Sequence, residues 1–381
     1  VKLDEKVSTY LPEFTGGGAE NITVRHLLTH TSGLRPGISG QAFTNYQSAI
    51  AQAVKEKPNP APGTLFRYSD INFILLGELV QRVSEKRLDE FAAAEIWHPL
   101  GMNDTRYLPP ASWKDRIAPT ENGLRAVVHD PTSRRMGGVA GHAGVFSTAA
   151  DIARYARMIL RGGELDGVRF FKSESIQLMT SVQSPEGVTA RRGLGWDIDC
   201  AYSRPRGMVF PLGSFGHTGW TGTALWIDPF SKTFVLLLSN RVHPDGKGNV
   251  LPLYAAMGTL AAQAVADFDF KNVPGALAFR TNFIEWGVIT NLVAPSAQAR
   301  PLPDVPGALN GIDVLVKQNF APLKKRKIGL VTNHTGIDRN RRPTIDLLHG
   351  APEVQLVALF SPEHGIRGEL DTTITHSVNT T

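Results

Sequence analysis

The sequence predicts a mixed α/β protein of the α+β type, in which helices flank an antiparallel sheet and a separate βαβ unit follows. Three patterns support this fold class. Helical and strand patterns are mixed over roughly the first 265 residues, two strand-rich segments there are joined by a short turn, and a strand–helix–strand pattern lies near the C-terminus. Helices beside an antiparallel pair are typical of α+β packing, whereas strand, helix and strand in close succession favour parallel strands.

Periodicity predicts the elements of the N-terminal part. Apolar residues recur at helical spacing between Ile71 and Lys86, and Ser69-Asp70 just before them offers N-cap chemistry. Ala150 to Arg161 predicts another helix, which Gly162-Gly163 ends. The runs TGTALWID and TFVLLLSN, joined by the turn Pro229 to Lys232, predict a β-hairpin.

The C-terminal part has its own pattern and its own boundary. KIGLVT and VQLVALF read as buried strands, and PTIDLLH between them reads as a helix, which gives a Rossmann-like βαβ unit. A stretch rich in Pro, Ala and Gly precedes it. We therefore expect a domain over residues 1–267, a linker over 268–308 and the start of a second domain over 309–381.

Composition excludes several classes of protein. Hydrophobic residues make up 42% and charged residues 20%, which is a globular balance and not that of a disordered chain. The net charge of +5 is small and its one dense cluster, Lys324 to Lys327, reads as a solvated strand or helix end, so we expect no nucleic-acid partner. A single cysteine, Cys200, excludes an internal disulfide and a Cys-based zinc site. The uncharged stretch Gly248 to Ala266 is interrupted by polar residues and proline, and we expect a buried core helix there and no transmembrane segment.

Searches for several catalytic motifs return nothing. The chain contains no H-E-x-x-H, no C-x-x-C, no G-x-x-x-x-G-K-[ST] and no G-x-S-x-G. Metalloprotease, P-loop and α/β-hydrolase functions therefore have no support in the sequence.

Three segments carry a resemblance when they are taken together. They are ITVRHLLTHTSGL, beginning at Ile22, Tyr68-Ser69-Asp70 in YSDINFILLG, and His217-Thr218-Gly219 in GHTGWTGTALWIDP. This set resembles the serine β-lactamase and penicillin-binding protein superfamily, in the branch that holds class C β-lactamases, DD-peptidases and esterases. The resemblance covers about residues 1–265 and implies a β-lactamase-like fold.

The resemblance implies roles for these residues. In that family a serine attacks an acyl carbon, and a lysine one turn later on the same helix assists. Tyr68 occupies the place of the family's proton-relaying tyrosine. His217 and Thr218 occupy the strand that binds the substrate carboxylate and aligns the acyl group, and the small Gly219 is expected to let substrate approach the backbone. No metal or organic cofactor is implied, because the reacting groups are side chains.

Two substitutions depart from the family pattern. Asp70 stands where the family has Asn, and an ionised carboxylate accepts hydrogen bonds but cannot donate one to a substrate carbonyl. His217 stands where β-lactamases have Lys, which favours DD-peptidase-like or esterase-like members. Both residues are expected to contact substrate.

The largest departure is the absence of the nucleophile motif. No Lys in the chain has a Ser three residues before it, so S-x-x-K is missing. We expect a truncation just after it, and therefore expect this chain to be inactive. Within the first motif His26 and His30 read as structural. Outside the motifs, Cys200 reads as inert, and His142 in a Gly-rich loop reads as either a residue lining the cleft or a turn histidine.

The C-terminal piece carries a second resemblance. The segment from NGIDVLVKQNF to SPEHGIRG looks like the opening of the bacterial exo-β-N-acetylmuramidase family, over about residues 309–381. Asn333-His334 follows one strand and Glu363-His364 follows the other, at the edge where open α/β sheets bind ligands. Glu363 is the candidate glycosidase acid, and a plain turn is the alternative for this segment.

Together these features predict a serine hydrolase of the β-lactamase, DD-peptidase or esterase type acting on cell-wall peptides, amides or esters, fused to a muramidase-like domain. The expected partner is a peptidoglycan-derived small molecule, and the expected location of the parent protein is the periplasm or the cell exterior. A non-catalytic module that binds wall peptides, and a carboxylesterase, remain as alternatives.

Overall fold

The computed structural model describes residues 1–38, 43–278, 311–331, 338, 340 and 342–360. The chain divides into two compact units, Val1–Pro295 and Ser296–Thr381. Most of the predicted linker lies outside the described residues, so its bounds stay a prediction.

The first unit holds eight described α-helices and the second holds two. They are α1 (Val24–Leu28), α2 (Tyr46–Ala53), α3 (Asp70–Ser84), α4 (Leu88–Ala92), α5 (Pro131–Arg135), α6 (Ala149–Leu160), α7 (Ser173–Thr180), α8 (Leu251–Gln263), α9 (Gly311–Lys317) and α10 (Thr344–His349). The two helices predicted from periodicity in the N-terminal part are confirmed as α3 and α6. The predicted side-chain cap at Ser69 is wrong, because its Oγ donates to the carbonyl of Arg35 at 2.6 Å and caps no helical N–H.

The strands of the first unit form a small hairpin and a five-stranded antiparallel sheet. The hairpin pairs β1 (Glu164–Leu165) with β2 (Val168–Arg169). The sheet has the order β3 (Arg191–Arg192), β4 (Asp197–Asp199), β5 (Phe215–Thr218), β6 (Thr223–Asp228) and β7 (Thr233–Leu238). The predicted hairpin is confirmed as β6 and β7, which pair from Thr223 opposite Leu238 to Asp228 opposite Thr233.

Two apolar cores hold the first unit together. One lies among α1, α2 and α3 and takes Val7, Leu11 and Phe14 from the N-terminal segment. The other includes apolar side chains from α6 and from the sheet. The burial of this apolar area is the main term that holds the fold.

Helix α8 differs from its prediction. Tyr254 and Ala262 are buried on one face, whereas Leu251 and Leu260 are 44% and 61% exposed. The expected buried core helix is therefore a surface helix with an apolar outer face. Among the described residues, no helix has the length and apolar character needed to cross a membrane.

The second unit contains the predicted βαβ arrangement. Strands β8 (Arg326–Val331) and β9 (Val354–Phe360) pair in parallel, and α10 connects them. The calls on Asn333, His334, Glu363 and His364 fall outside the described residues, so the structure does not test them.

Candidate active site

Tyr68 lies in the segment that leads into α3, on an aromatic layer. Its ring stacks on that of His30 at a centroid distance of 4.3 Å, and the ring of Tyr202 lies 5.3 Å away. His30 Nδ1 receives the backbone N–H of Ser69 at 3.1 Å, which fixes the His30 ring beneath Tyr68. His30 thus supports Tyr68, which the sequence did not indicate, and its purely structural role stays a prediction.

The β5 strand brings His217 to the same place. The rings of Tyr68 and His217 lie 6.2 Å apart, and His30 of the first motif stacks on Tyr68, so residues of all three predicted motifs meet here. In the described part of the sheet, β4 pairs with β5 only at Asp197 opposite Gly216. His217 and Thr218 extend beyond that pair, so no described β4 residue pairs with them.

The two facing groups are both neutral at pH 7. Burial raises the pKa of Tyr68 to about 12; the Asp70 carboxylate adds to the rise and the Arg192 guanidinium opposes it. Burial, helped by Arg192, lowers the pKa of His217 to about 4 against the opposing effect of the Thr218 carbonyl. The cleft therefore offers a phenol and an uncharged imidazole, and no phenolate or imidazolium.

The imidazole of His217 has a defined orientation. Its Nδ1 lies 2.8 Å from the carbonyl oxygen of Thr218 and donates to it. Because the ring is neutral, Nε2 carries a lone pair and is the acceptor. His217 can thus receive a hydrogen bond from a substrate or from a hydroxyl in the cleft.

Gly219 lies at the turn between β5 and β6. A Cβ at this position would lie 2.3 Å from Thr223 Oγ1 within the same hairpin. Its N–H also donates to the Thr223 carbonyl at 2.7 Å. A larger residue would therefore displace the Thr223 side chain, and the expected close approach of substrate to Gly219 stays a prediction.

Sequence reasoning missed a buried cation beneath the aromatic layer. Arg192 is fully buried and forms an ion pair with the equally buried Asp197. Its guanidinium carbon lies 5.3 Å from the ring centroid of Phe66. Cys200, predicted inert, is buried near it, with Sγ 3.2 Å from Asp197 Oδ1.

On the other side of Tyr68, Asp70 is the first residue of α3 and lies near two further polar side chains. Asp70, Asp130 and His142 each offer one oxygen or nitrogen atom that could ligate a metal ion, and these atoms lie within 4.8 Å of one another. His142 Nε2 lies 3.0 Å from Asp130 Oδ1. His142 thus lies beside Asp70 and Asp130 with a buried side chain, and its expected role in lining the cleft stays a prediction. Asp130 was not predicted; its place in His129-Asp130-Pro131, at the start of a helix, was the available signal.

A contact between two glycines places His142 near Asp70. Gly77 lies inside α3, and Gly141 lies in the loop that precedes α6. A Cβ on Gly141 would lie 2.0 Å from the carbonyl oxygen of Phe73, and one on Gly77 would lie 3.0 Å from the N atom of Gly141. The loop backbone therefore packs directly on the helix backbone at the residue before His142.

The two carboxylates differ in how well their negative charge is stabilised. Burial raises the pKa of Asp70, and the Asp130 charge raises it further against the effect of His142. Burial also raises that of Asp130, but hydrogen bonds from His142 and from the Ser133 N–H outweigh it, so the pKa of Asp130 is lowered overall. Asp130 is thus a stabilised carboxylate and Asp70 a poorly compensated one.

Comparison with known proteins gives two family matches. The sequence model of the Beta-lactamase family matches residues 1–257. The model described as "Exo-beta-N-acetylmuramidase NamZ, N-terminal" matches residues 328–381.

Individual relatives and structures resemble the first unit. A relative from Salmonella agona, named a D-alanyl-D-alanine carboxypeptidase, is 29% identical over 69% of this chain and 68% of its own length. The crystal structure of a family VIII carboxylesterase is similar with a TM-score of 0.55 and 22% identity, over 69% of this chain and 76% of its own. A class C beta-lactamase mutant gives a TM-score of 0.54 and 22% identity over the same shares. These two likenesses show the fold.

Proposed function

The chain belongs to the Beta-lactamase family, and from that premise we propose that the cleft between Tyr68 and His217 binds D-alanyl peptides of the cell wall. The observation that carries the proposal is the 6.2 Å approach of the Tyr68 and His217 rings beside the residues of β5 that no described β4 residue pairs with. The named activity of the Salmonella agona relative suggests the peptide class. Material of this kind lies outside the cytoplasm, and we place the parent protein there.

The proposed chemistry is acyl transfer to a serine. A serine oxygen bonds to the substrate carbonyl carbon, the bond to the leaving nitrogen breaks, and water later hydrolyses the ester. Because its pKa is about 12, Tyr68 is protonated at neutral pH and passes a proton to the leaving nitrogen as it receives one from the nucleophile. Residues 217 and 218 hold the substrate by hydrogen bonds from the strand edge.

The nucleophile itself has no candidate in this chain. S-x-x-K does not occur in the 381 residues. We therefore propose that this chain binds its ligand reversibly and forms no acyl-enzyme. Asp70 in place of Asn favours the second candidate function, a wall-peptide-binding module without catalysis.

The test measures covalent labelling and reversible binding separately. Mass spectrometry after incubation with a penicillin or a fluorophosphonate should show the unmodified mass. Calorimetric titration with N-acetyl-D-alanyl-D-alanine should show binding that Tyr68→Phe weakens by about threefold to tenfold, because one hydrogen bond is lost. The control is Tyr155→Phe, which removes a hydroxyl from α6.

Two results would contradict the proposal. A stoichiometric adduct on any serine would show that the chain contains its nucleophile. If the peptide does not bind at millimolar concentration, the proposal that this site binds D-alanyl peptides is refuted.

For the second unit we propose a muramidase-like domain, with Glu363 as its acid. The family match over residues 328–381 supports this. A complete glycosidase site ordinarily needs two carboxyl groups, and Glu363 is the one that the sequence indicates.

A further inference from the structure

Trp220 is the most exposed large apolar side chain in the described part of the chain. It is 75% exposed, although tryptophan is on average highly buried in folded proteins. It lies in a turn that begins at Gly219, directly after Thr218 of β5, where the N–H of Gly222 donates to the Gly219 carbonyl at 3.0 Å. The indole therefore lies just beyond the β5 residues to which the proposed function assigns the substrate.

The side chain of Arg241 packs on one face of this indole. Its guanidinium carbon lies 4.4 Å from the centroid of the Trp220 ring, which is a cation–π geometry. Arg241 Nε donates to the Trp220 carbonyl at 2.7 Å. Its Nη1 donates to the carbonyls of Gly246 and Gly248 at 3.3 and 3.2 Å. The ring thus rests on an arginine that three backbone carbonyls hold in place.

The geometry determines which surface of the indole is free. Because the guanidinium covers one face, the exposed surface is mainly the opposite face and the ring edge. An aromatic ring that is already held in one position loses little conformational entropy when a ligand binds to it. The surface suits a flat group that has C–H bonds on its face and polar groups around its edge, as a pyranose sugar has. The methyl side chains of D-alanine offer no such flat group.

The proposed ligand and the second unit both favour a sugar of the cell wall. Wall peptides are joined through their amino end to N-acetylmuramic acid. The second unit matches the N-terminal model of an exo-β-N-acetylmuramidase family over residues 328–381. The lengths are also compatible, because Trp220 follows His217 by three residues, which span at most about 11 Å, and a peptide of three to four residues spans roughly 10–14 Å.

We propose that the free face of Trp220 stacks on the sugar of a muramyl peptide whose D-alanyl end lies between Tyr68 and His217. This inference rests on the proposed function and adds to it the substrate class, a wall peptide that still carries its N-acetylmuramic acid. Covering roughly 60 Å² of apolar indole surface corresponds to a gain in affinity of about tenfold. Trp220 is thus a specificity residue that contacts the ligand away from the scissile bond.

Calorimetry on the full 381-residue chain tests the proposal with two ligands. One is the pentapeptide L-alanyl-D-isoglutamyl-L-lysyl-D-alanyl-D-alanine, and the other is the same peptide with N-acetylmuramic acid on its amino end. The muramyl form should bind about tenfold more tightly. Its binding should also change the tryptophan fluorescence of the chain, and this change should be absent from Trp220→Phe.

Variants assign the preference for the muramyl form to the indole. Trp220→Ala should reduce the ratio of the two affinities to about one and leave the affinity for the free pentapeptide within about twofold. Trp220→Phe keeps a flat ring and should keep a preference of about threefold. Circular dichroism checks that each variant is folded.

Trp113→Ala is the matched control. Trp113 also stacks on an arginine, since the guanidinium carbon of Arg116 lies 5.0 Å from its ring centroid, but it belongs to the segment Ala111–Arg116 and not to the turn after β5. Its replacement should leave the ratio of the two affinities unchanged.

The outcomes separate this inference from the proposed function. If the two ligands bind equally well to the parent chain, the inference is overturned and the proposed function stands. If the preference for the muramyl form survives Trp220→Ala, the sugar binds elsewhere on the chain and the inference is overturned. If neither ligand binds, the proposed function is refuted and the inference with it.

Discussion

Tyr68 and Asp70 are two residues apart, yet the two sides of the cleft that they face differ in charge. The Tyr68 side is aromatic and neutral, since burial holds the pKa of both His30 and His217 well below 6.5. The Asp70 side contains two carboxylates and a histidine that donates to one of them. The site thus combines a neutral side and an acidic side, a difference that the small net charge of the whole chain does not reveal.

The largest expected effect comes from removing the ion-pair partner of Arg192, the buried cation on the Tyr68 side. Asp197→Ala leaves the fully buried Arg192 without its partner and should lower the free energy of unfolding by about 3–5 kcal/mol. Urea denaturation measures the change. The double variant Arg192→Met/Asp197→Leu should recover most of it, and a loss below about 1 kcal/mol for Asp197→Ala would show that the pair is not buried in solution.

A smaller effect is the pH dependence of the unfolding free energy that His217 causes. The pKa of His217 is about 4 in the folded chain and about 6.5 in the unfolded chain. Unfolding thus takes up a proton, so stability is lost as pH falls from about 7 towards 4. Allowing for its partial exposure, His217→Gln should remove about 2 kcal/mol of this loss.

Unfolding free energies at pH 7.5 and pH 4.5 measure this effect. His98→Gln, which changes an exposed histidine, is the control and should follow the parent protein. If the parent and His217→Gln lose equal stability over this range, the neutral state of His217 is refuted.

The smallest effect lies on the acidic side and has the opposite sign. Burial and Asp130 raise the pKa of Asp70, so the ionised form costs stability at pH 7. Asp70→Asn removes that cost and should raise the unfolding free energy by less than about 1 kcal/mol. The gain should vanish near pH 2, where the carboxyl is protonated in both states, and a destabilised variant at pH 7 would contradict the expected cost of the charge.

The sequence predicted the secondary-structure elements better than it predicted the tertiary contacts between them. The α3 helix and the β6–β7 hairpin follow from local periodicity, and the pairing of Tyr68 with His217 followed from the motifs together. The long-range contacts to Arg192 and Asp130 could not be predicted, because nothing local links residue 192 or residue 130 to residue 68. Helix α8 was expected to be buried because its sequence is apolar. Apolar content alone does not show which face packs on the protein, and the outer face of α8 is exposed.

The contact between Gly77 and Gly141 has a mechanical consequence. With no side chain between the two backbones, there is no deformable layer to absorb a displacement of α3. A movement of this helix carries Asp70 and the loop of His142 together, so the separation of the two groups is insulated from rotamer changes elsewhere in the core. The distance between Asp70 and His142 is therefore set mainly by the contact between two backbones.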